Sequence, residues 1–174
     1  MNRLRGLTVA AALLAMAVGM PAAAGGDEGA VALDQHGRSH LWRGPTGRLT
    51  LIEFAASWCA PCRRTLPRLE AFARRHPDLR VLVVSVDDRP QGRDELVEAL
   101  QLSLPMLWDE NHRIAGHYQP PAMPTALLLS PAGDVLHTAP GSRTDDWEEL
   151  AARIEEELRR NPAAGAAEQA PGSR

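Results

Sequence analysis

Two cysteines, Cys59 and Cys62, are the only thiols in this 174-residue chain, and two residues separate them. A Cys-x-x-Cys pair can close into a small disulfide and reopen by exchange, because the second sulfur is placed to attack a mixed disulfide formed by the first. With no third or fourth thiol, the pair belongs neither to a multi-bridge framework nor to a four-thiolate zinc site. Three interpretations remain: a lone structural bridge, half of a mixed Cys/His metal site, or a redox centre.

The cysteines fall where a buried strand is predicted to give way to a helix. Segment 49–55 is almost continuously apolar, which is typical of a strand buried on both faces, and a helix is predicted over about 60–76. Free backbone N–H groups and the positive end of the helix dipole favour an anion there and lower thiol pKa values. Cys59 is therefore the expected attacking thiolate and Cys62 the expected resolving thiol. Closing so short a loop stabilises a fold little, which favours a redox centre over a structural bridge.

The order of elements around this junction predicts an α/β fold, with a central sheet flanked by helices. The first crossover, from the strand at 49–56 to a second buried strand at 81–86, is predicted to be parallel. Ligands and chemistry gather at the carboxyl ends of strands in such sheets, which is where the cysteines lie. The remaining predicted elements are strands at 31–33, 39–42, 106–108, 126–129 and 135–137, and helices at 94–102 and 144–160.

Both chain ends are predicted to lie outside the folded domain, which we place at residues 30–160. Residues 1–24 combine Arg3 and Arg5 with an apolar run and a small-residue cleavage site, the layout of a secretory signal peptide. Retention as a membrane anchor is the alternative, although the apolar run is shorter than the about 20 residues that a span needs. Residues 161–174 are predicted to be a flexible tail. Either form of the leader indicates a periplasmic domain, in a compartment where disulfides persist.

Composition excludes several other classes of function. The net charge is −3 and charged residues make up 24% of the chain, so nothing indicates nucleic-acid binding. All 19 basic residues are arginine, which excludes any mechanism that needs a lysine amine. None of the six histidines lies at ligand spacing from the cysteines. We therefore expect a monomer without cofactor or metal.

Glu53 is the second candidate catalytic group, six residues before Cys59 on the predicted central strand. A carboxyl buried among apolar residues is costly when ionised, so its pKa should be raised towards neutrality. Such a pKa suits acid and base chemistry near neutral pH. The alternative is an edge position with the side chain in solvent, which the apolar flanks disfavour.

The run from Glu53 to Cys62, EFAASWCAPC, resembles the thioredoxin superfamily, and with the leader it resembles the TlpA/ResA/CcmG group of extracytoplasmic thioredoxins. The similarity extends from Val31 to the last helix. It includes an opening D-x-x-G hairpin at Asp34–Gly37 and a closing strand, glycine turn and strand at 128–135. The resemblance implies a thioredoxin fold with a short N-terminal β-hairpin extension. It also implies thiol–disulfide oxidoreductase activity, as a reductant fed electrons by a membrane thiol carrier. Its clients would be exported proteins of cytochrome c or cytochrome oxidase maturation.

The same resemblance assigns roles to individual residues. A Cys59–Cys62 disulfide would be the redox group, and Glu53 would exchange a proton with Cys62. Many members of the group instead carry an acid three residues after the second cysteine, where this chain has Thr65. Pro124 would be the family's cis-proline. The residues expected to contact clients are Trp58, Pro61, Met123 and Thr125.

Two departures and two alternatives accompany this interpretation. Met123 stands where a β-branched residue is usual, and Pro120-Pro121-Ala122 replaces a usual glycine.

A copper-binding module of the same fold is one alternative, although such proteins usually space their cysteines C-x-x-x-C. A general periplasmic thiol oxidant is the other. A peroxidase-like module is disfavoured, because Ala56 stands where a peroxidatic Thr-x-x-Cys would need threonine.

Overall fold

The computed structural model describes residues 30–141 and 144–161, so the predicted leader and nearly all of the predicted tail lie outside it. Strands β1 (Val31–Leu33) and β2 (Ser39–Leu41) form a separate antiparallel hairpin. Within the described residues, no helix is long and apolar enough to cross a lipid bilayer. The hairpin precedes the main sheet, as the sequence predicts.

Five strands form the main sheet, in the order β5-β4-β3-β6-β7. The central strand β3 pairs in parallel with β4 and antiparallel with β6, so the sheet is mixed. Every residue of β3 is buried, because the strand is covered on both faces. The prediction of a mixed sheet built around this strand is confirmed. Its strands are β3 (Thr50–Ala55), β4 (Arg80–Ser85), β5 (Met106–Trp108), β6 (Thr125–Leu129) and β7 (Val135–Pro140).

In the described part of the chain, four α-helices cover the sheet: α1 (Cys62–Arg75), α2 (Pro90–Leu100), α3 (Arg113–Tyr118) and α4 (Thr144–Arg160). On β3, Glu53 bonds to Thr65 of α1, whereas the adjacent Phe54 packs edge-on against Tyr118 of α3. Successive strand residues point to opposite faces, so α1 and α3 lie on opposite faces of the sheet. Helix α4 shares the face of α1, because its Trp147 packs against Phe72.

Helices α2 and α3 differ most from the prediction. Helix α2 begins at Pro90 rather than at 94, because proline is well suited to the first turn, where its missing N–H has no helical partner. Helix α3 and the 3₁₀ turn at Glu110–His112 were not predicted. The carboxylate of Asp109 accepts hydrogen bonds from the backbone N–H groups of Ile114 and Ala115, and so caps α3.

A buried carboxylate organises the N-terminal hairpin. Asp34 accepts hydrogen bonds from the backbone N–H groups of His36 and Arg38, the Arg38 guanidinium and the His40 ring. Burial alone would raise the pKa of Asp34, but these hydrogen bonds outweigh it and hold the pKa well below its ordinary value of 3.8. Because the folded state favours the ionised form, Asp34 stabilises the fold above pH 3.8, and this contribution is lost as the pH falls further.

The replacement Asp34→Asn should lower the free energy of unfolding at pH 7 by about 1.5–3 kcal/mol, the usual range for hydrogen bonds to a charged group. The difference from the wild type should shrink as the pH falls below 3.8, the ordinary pKa of the group. Urea denaturation at several pH values measures it. Asp78→Asn, in an exposed loop, is the control and should stay close to the wild type throughout. A difference for Asp34→Asn that stays constant down to pH 2 would contradict the assignment.

Candidate active site

The sheet topology brings two loops together at the carboxyl end of the central strand β3. Strand β3 ends at Ala55 and leads into the segment that carries Cys59. Strand β6 runs antiparallel to β3, and its first residue, Thr125, pairs with Phe54. The segment just before β6, with Met123 and Pro124, therefore lies at the same edge as the cysteines.

Cys59 and Cys62 form a disulfide at the start of α1. Cys62 is the first residue of the helix and is 0% exposed, and Cys59 is only 3% exposed. The backbone N–H of Cys62 donates to Sγ of Cys59 at 3.2 Å. Cys59 is thus the outer sulfur and already accepts a hydrogen bond, an arrangement that favours a thiolate after reduction.

Trp58 presents the largest exposed apolar side chain beside the disulfide, with 67% of its surface accessible. The other residues expected to contact clients are more enclosed. Pro61 and Met123 are half-buried. Pro124, the residue expected to be the cis-proline, is buried and follows a cis peptide bond. Thr125 is fully buried and its hydroxyl donates to the carbonyl of Ala122, so its side chain faces the interior and does not form part of the exposed surface.

Glu53 lies within the sheet, 3% exposed, between Val83 of β4 and Ala126 of β6. Burial raises the pKa of Glu53 from its ordinary value of 4.5 to about 7, and a hydrogen bond from Thr65 partly opposes the rise. The carboxyl therefore changes protonation near neutral pH, where thiol exchange takes place. The predicted burial of Glu53 is confirmed, and the raised pKa follows from that burial.

Thr65 completes the surroundings of this carboxyl. Its hydroxyl donates to Oε1 of Glu53 at 2.6 Å and lies 3.3 Å from the carbonyl oxygen of Cys62. In the sequence, Thr65 stands out only as a position that lacks an acid. Its spacing of three residues from Cys62 was the available signal, since residues three apart share a helix face.

A second carboxylate, which the sequence did not reveal, fixes the segment before the cysteines. Asp87, just beyond β4, accepts hydrogen bonds from the backbone N–H and the hydroxyl of Ser57 and from the hydroxyl of Ser85. The indole N–H of Trp108 donates to the carbonyl of Asp87. We call these four residues the Asp87 network. It holds the chain two residues before Cys59 against the end of β4.

Helix α2 approaches the Asp87 network closely because it has a glycine there. A Cβ atom on Gly92 would lie 2.6 Å from Oδ1 and 2.7 Å from Cβ of Asp87, closer than real side chains tolerate. Any larger residue at position 92 would therefore displace the carboxylate that holds Ser57.

Among the described residues, no group of three or more histidine, cysteine or acidic side chains is arranged to hold a metal ion. The copper-binding alternative therefore finds no ready ligand set in that part of the chain. The redox interpretation needs only the two sulfurs and the groups around them.

A mixed sheet with a Cys-x-x-Cys disulfide at the junction of its central strand and the next helix defines a thioredoxin-like protein. The chain belongs to the AhpC/TSA family, which matches residues 30–138. The fold that the resemblance implied is confirmed.

Relatives of the ResA type agree with the resemblance seen in the sequence. The sporulation thiol-disulfide oxidoreductase A of Bacillus subtilis (strain 168) is 29% identical over 103 residues, which cover 56% of this chain and 62% of the relative. The thiol-disulfide oxidoreductase ResA of Oceanobacillus iheyensis is 24% identical over 102 residues, 58% of this chain and 53% of the relative. The chain thus spans less than two thirds of the length of both relatives.

A solved structure extends the likeness to the fold. StoA from Bacillus subtilis superposes with a TM-score of 0.61 at 23% identity, over 70% of this chain and 94% of that protein. At this level of identity the likeness shows a shared fold.

The replacement Gly92→Ala should displace Asp87 and loosen Ser57, with a loss of about 1–3 kcal/mol of stability, as for other overpacked sites. Gly116→Ala is the matched control, because Gly116 also lies in a helix but has open space around its Cβ position. The control should gain up to about 1 kcal/mol from the better helix propensity of alanine. Thermal unfolding compares the stability of the two variants. A ¹H–¹⁵N NMR spectrum shows whether the backbone amide signal of Ser57 moves. Equal stability of both variants would argue against the close approach.

Proposed function

We propose that this protein is an extracytoplasmic thiol–disulfide oxidoreductase that acts on other exported proteins. The observation that carries the proposal is a Cys59–Cys62 disulfide that directly follows the exposed Trp58 and opens the helix whose Thr65 hydrogen-bonds to the buried carboxyl of Glu53. A purely structural bridge needs neither an adjacent apolar docking surface nor an ionisable group in the core. The names of the ResA-type relatives support the same activity.

The proposed reaction passes two electrons from the reduced dithiol to a client disulfide. The Cys59 thiolate attacks one client sulfur, which forms a mixed disulfide and releases the other client sulfur as a thiolate. The Cys62 thiolate then attacks Sγ of Cys59. The Cys59–Cys62 bond forms, the mixed bond breaks, and the second client thiolate leaves and takes up a proton.

Glu53 supplies the proton acceptor for the second step. Cys62 is buried and has to lose its proton before it can attack, and water has little access to it. The Thr65 hydroxyl donates to the Glu53 carboxylate and lies 3.3 Å from the backbone carbonyl oxygen of Cys62, so the carboxyl lies close to the start of the helix that carries Cys62. A carboxyl with a pKa of about 7 can take the proton in one step and return it in the reverse reaction.

Client binding is assigned to the surface around the disulfide. Trp58 supplies an exposed aromatic face, and Met123 supplies a soft apolar side chain that adapts to varied partners. Pro61 borders the same opening, between the two cysteines. The backbone around Pro124 lies at this edge of the sheet, where an extended client chain would pair with it.

We assign the direction and location by the resemblance described above. The protein would act in the periplasm as a reductant of cytochrome c or cytochrome oxidase maturation clients, and a membrane thiol protein would supply its electrons. The leader at residues 1–24 would direct export, by cleavage or as an anchor.

The replacement Cys62→Ser should trap clients covalently on Cys59, because the resolving thiol is gone. The variant is exposed to exported proteins, and its covalent adducts are counted on non-reducing gels. Adducts linked through a disulfide disappear when a reductant is added. Cys59→Ser is the control and should trap far fewer. Recovery of non-covalent complexes alone would contradict Cys59 as nucleophile. Faster reaction of the wild type with hydrogen peroxide than with a peptide disulfide would indicate a peroxidase instead.

The replacement Glu53→Gln should slow resolution of the mixed disulfide at pH 7 by about a hundredfold, the lower end of the range that general bases contribute. It should also change stability. In the wild type, the folded carboxyl holds a proton that the unfolded one loses, so stability falls as the pH rises from 4.5 to about 7. The variant should lack this fall. Stopped-flow exchange and urea titrations measure both effects, and an unchanged rate profile would remove Glu53 from the mechanism.

A further inference from the structure

The hydroxyl of Thr65 has two acceptors and one proton. Oγ1 lies 2.6 Å from Oε1 of Glu53 and 3.3 Å from the carbonyl oxygen of Cys62. A hydroxyl donates one hydrogen bond but accepts others through its lone pairs. At any moment Thr65 therefore donates either to the carboxyl group or to the first residue of α1.

We propose that Thr65 is a positioning residue that holds the ionised form of Glu53 and transmits the protonation state of that carboxyl to the Cys62 end of α1. The inference rests on the role proposed above for Glu53 and assigns a partner to that role. Neither the Cys-x-x-Cys motif nor the lack of an acid at position 65 predicts this role for Thr65.

The two protonation states of Glu53 call for different hydrogen bonds. When Glu53 is a carboxylate, it can only accept, so Thr65 donates to Oε1. When Glu53 takes the Cys62 proton, its new O–H can donate to Oγ1 of Thr65, which frees the threonine proton for the Cys62 carbonyl. No proton is gained or lost in this exchange of bonds. The result is one more hydrogen bond at Cys62 after its proton has moved to Glu53.

Few charged groups lie close enough to Glu53 to shift its pKa. Its strand neighbours, Val83 and Ala126, carry no charge, and β6 contains no charged residue. On β4, Arg80 donates to the carbonyl of Leu41, in the hairpin. Beyond the end of β4, Asp87 is engaged by Ser57 and Ser85.

The charged side chains of α1 also make contacts away from Glu53. Arg63 donates to the carbonyl of Ser57, and Arg68 lies over the ring of Trp147. Glu70 pairs with Arg74, and Arg75 lies over Phe72. Arg64 is exposed, so its charge is surrounded by water. On α4, which lies on the same face, Glu156 and Glu157 pair with Arg153 and Arg160. The pKa of Glu53 accordingly reflects burial, which raises it, and the Thr65 bond, which lowers it.

The first test is a direct titration of Glu53 in the disulfide form, followed by the carbon signal of a ¹³C-labelled carboxyl group. Thr65→Val keeps the shape of the side chain but removes the hydroxyl, so the midpoint should move to higher pH by roughly one unit. Thr65→Ser keeps the hydroxyl and should stay near the wild type. A midpoint in Thr65→Val equal to that of the wild type would overturn the inference, whatever the activity of the protein.

The second test asks whether Thr65 acts through Glu53. The rate of mixed-disulfide resolution is measured against pH in Thr65→Val, in Glu53→Gln and in the double variant. Thr65→Val should shift the profile of the wild type to higher pH and leave the profile of Glu53→Gln unmoved. An equal shift in both backgrounds would overturn the inference and leave the role of Glu53 intact. A Glu53→Gln profile that matches the wild type would instead reject the proposed role of Glu53, while the titration would still report on the contact.

Discussion

A single ionisable carboxyl in a fully buried strand is the constraint on which this site depends. Every residue of β3 is buried, and Glu53 has only uncharged neighbours across the sheet. An ionised group in such a place is tolerated only when a hydrogen bond reaches it. The hydroxyl of Thr65 provides that bond from the first turns of α1. The same contact therefore holds the helix that carries Cys62 against the strand and lowers the pKa of the carboxyl.

The chain before the disulfide is held as firmly as the helix after it. The Asp87 network fixes Ser57 to the end of β4, and Arg63 donates to the carbonyl of the same serine. Gly92 lets α2 approach the carboxylate without a side chain in the way. Trp58 follows directly and projects from this fixed base with most of its ring exposed. An exposed aromatic side chain on an ordered backbone loses little conformational entropy when a partner covers it, which suits repeated, short-lived encounters with different proteins.

Local patterns predicted the strands and the placement of the cysteines, because apolar runs and a strand-to-helix junction are visible within a few residues. Burial of Glu53 was predicted for the same reason. Contacts between distant residues were not predicted: Asp87 binds Ser57 across a separation of 30 residues, and nothing in either segment names the partner. Helix α3 has only six residues, too few for a helical period, and depends on the cap from Asp109. The sequence drew attention to position 65 but did not predict the hydrogen bonds of Thr65, because the acceptors of a hydroxyl are known only from the folded structure.

The side chain of Gln35 hydrogen-bonds to the backbone at the start of β5, as a neighbouring strand would. Its amide oxygen accepts from the backbone N–H of Met106 and its amide nitrogen donates to the carbonyl of Leu104, while Asp34 bridges to Leu107. The N-terminal hairpin thereby occupies the outer border of the sheet, where open backbone groups would otherwise recruit a foreign chain. A shortened version that starts after Leu41 would keep both sulfurs yet expose this border. We expect such a fragment to self-associate, so the hairpin protects solubility as well as shape.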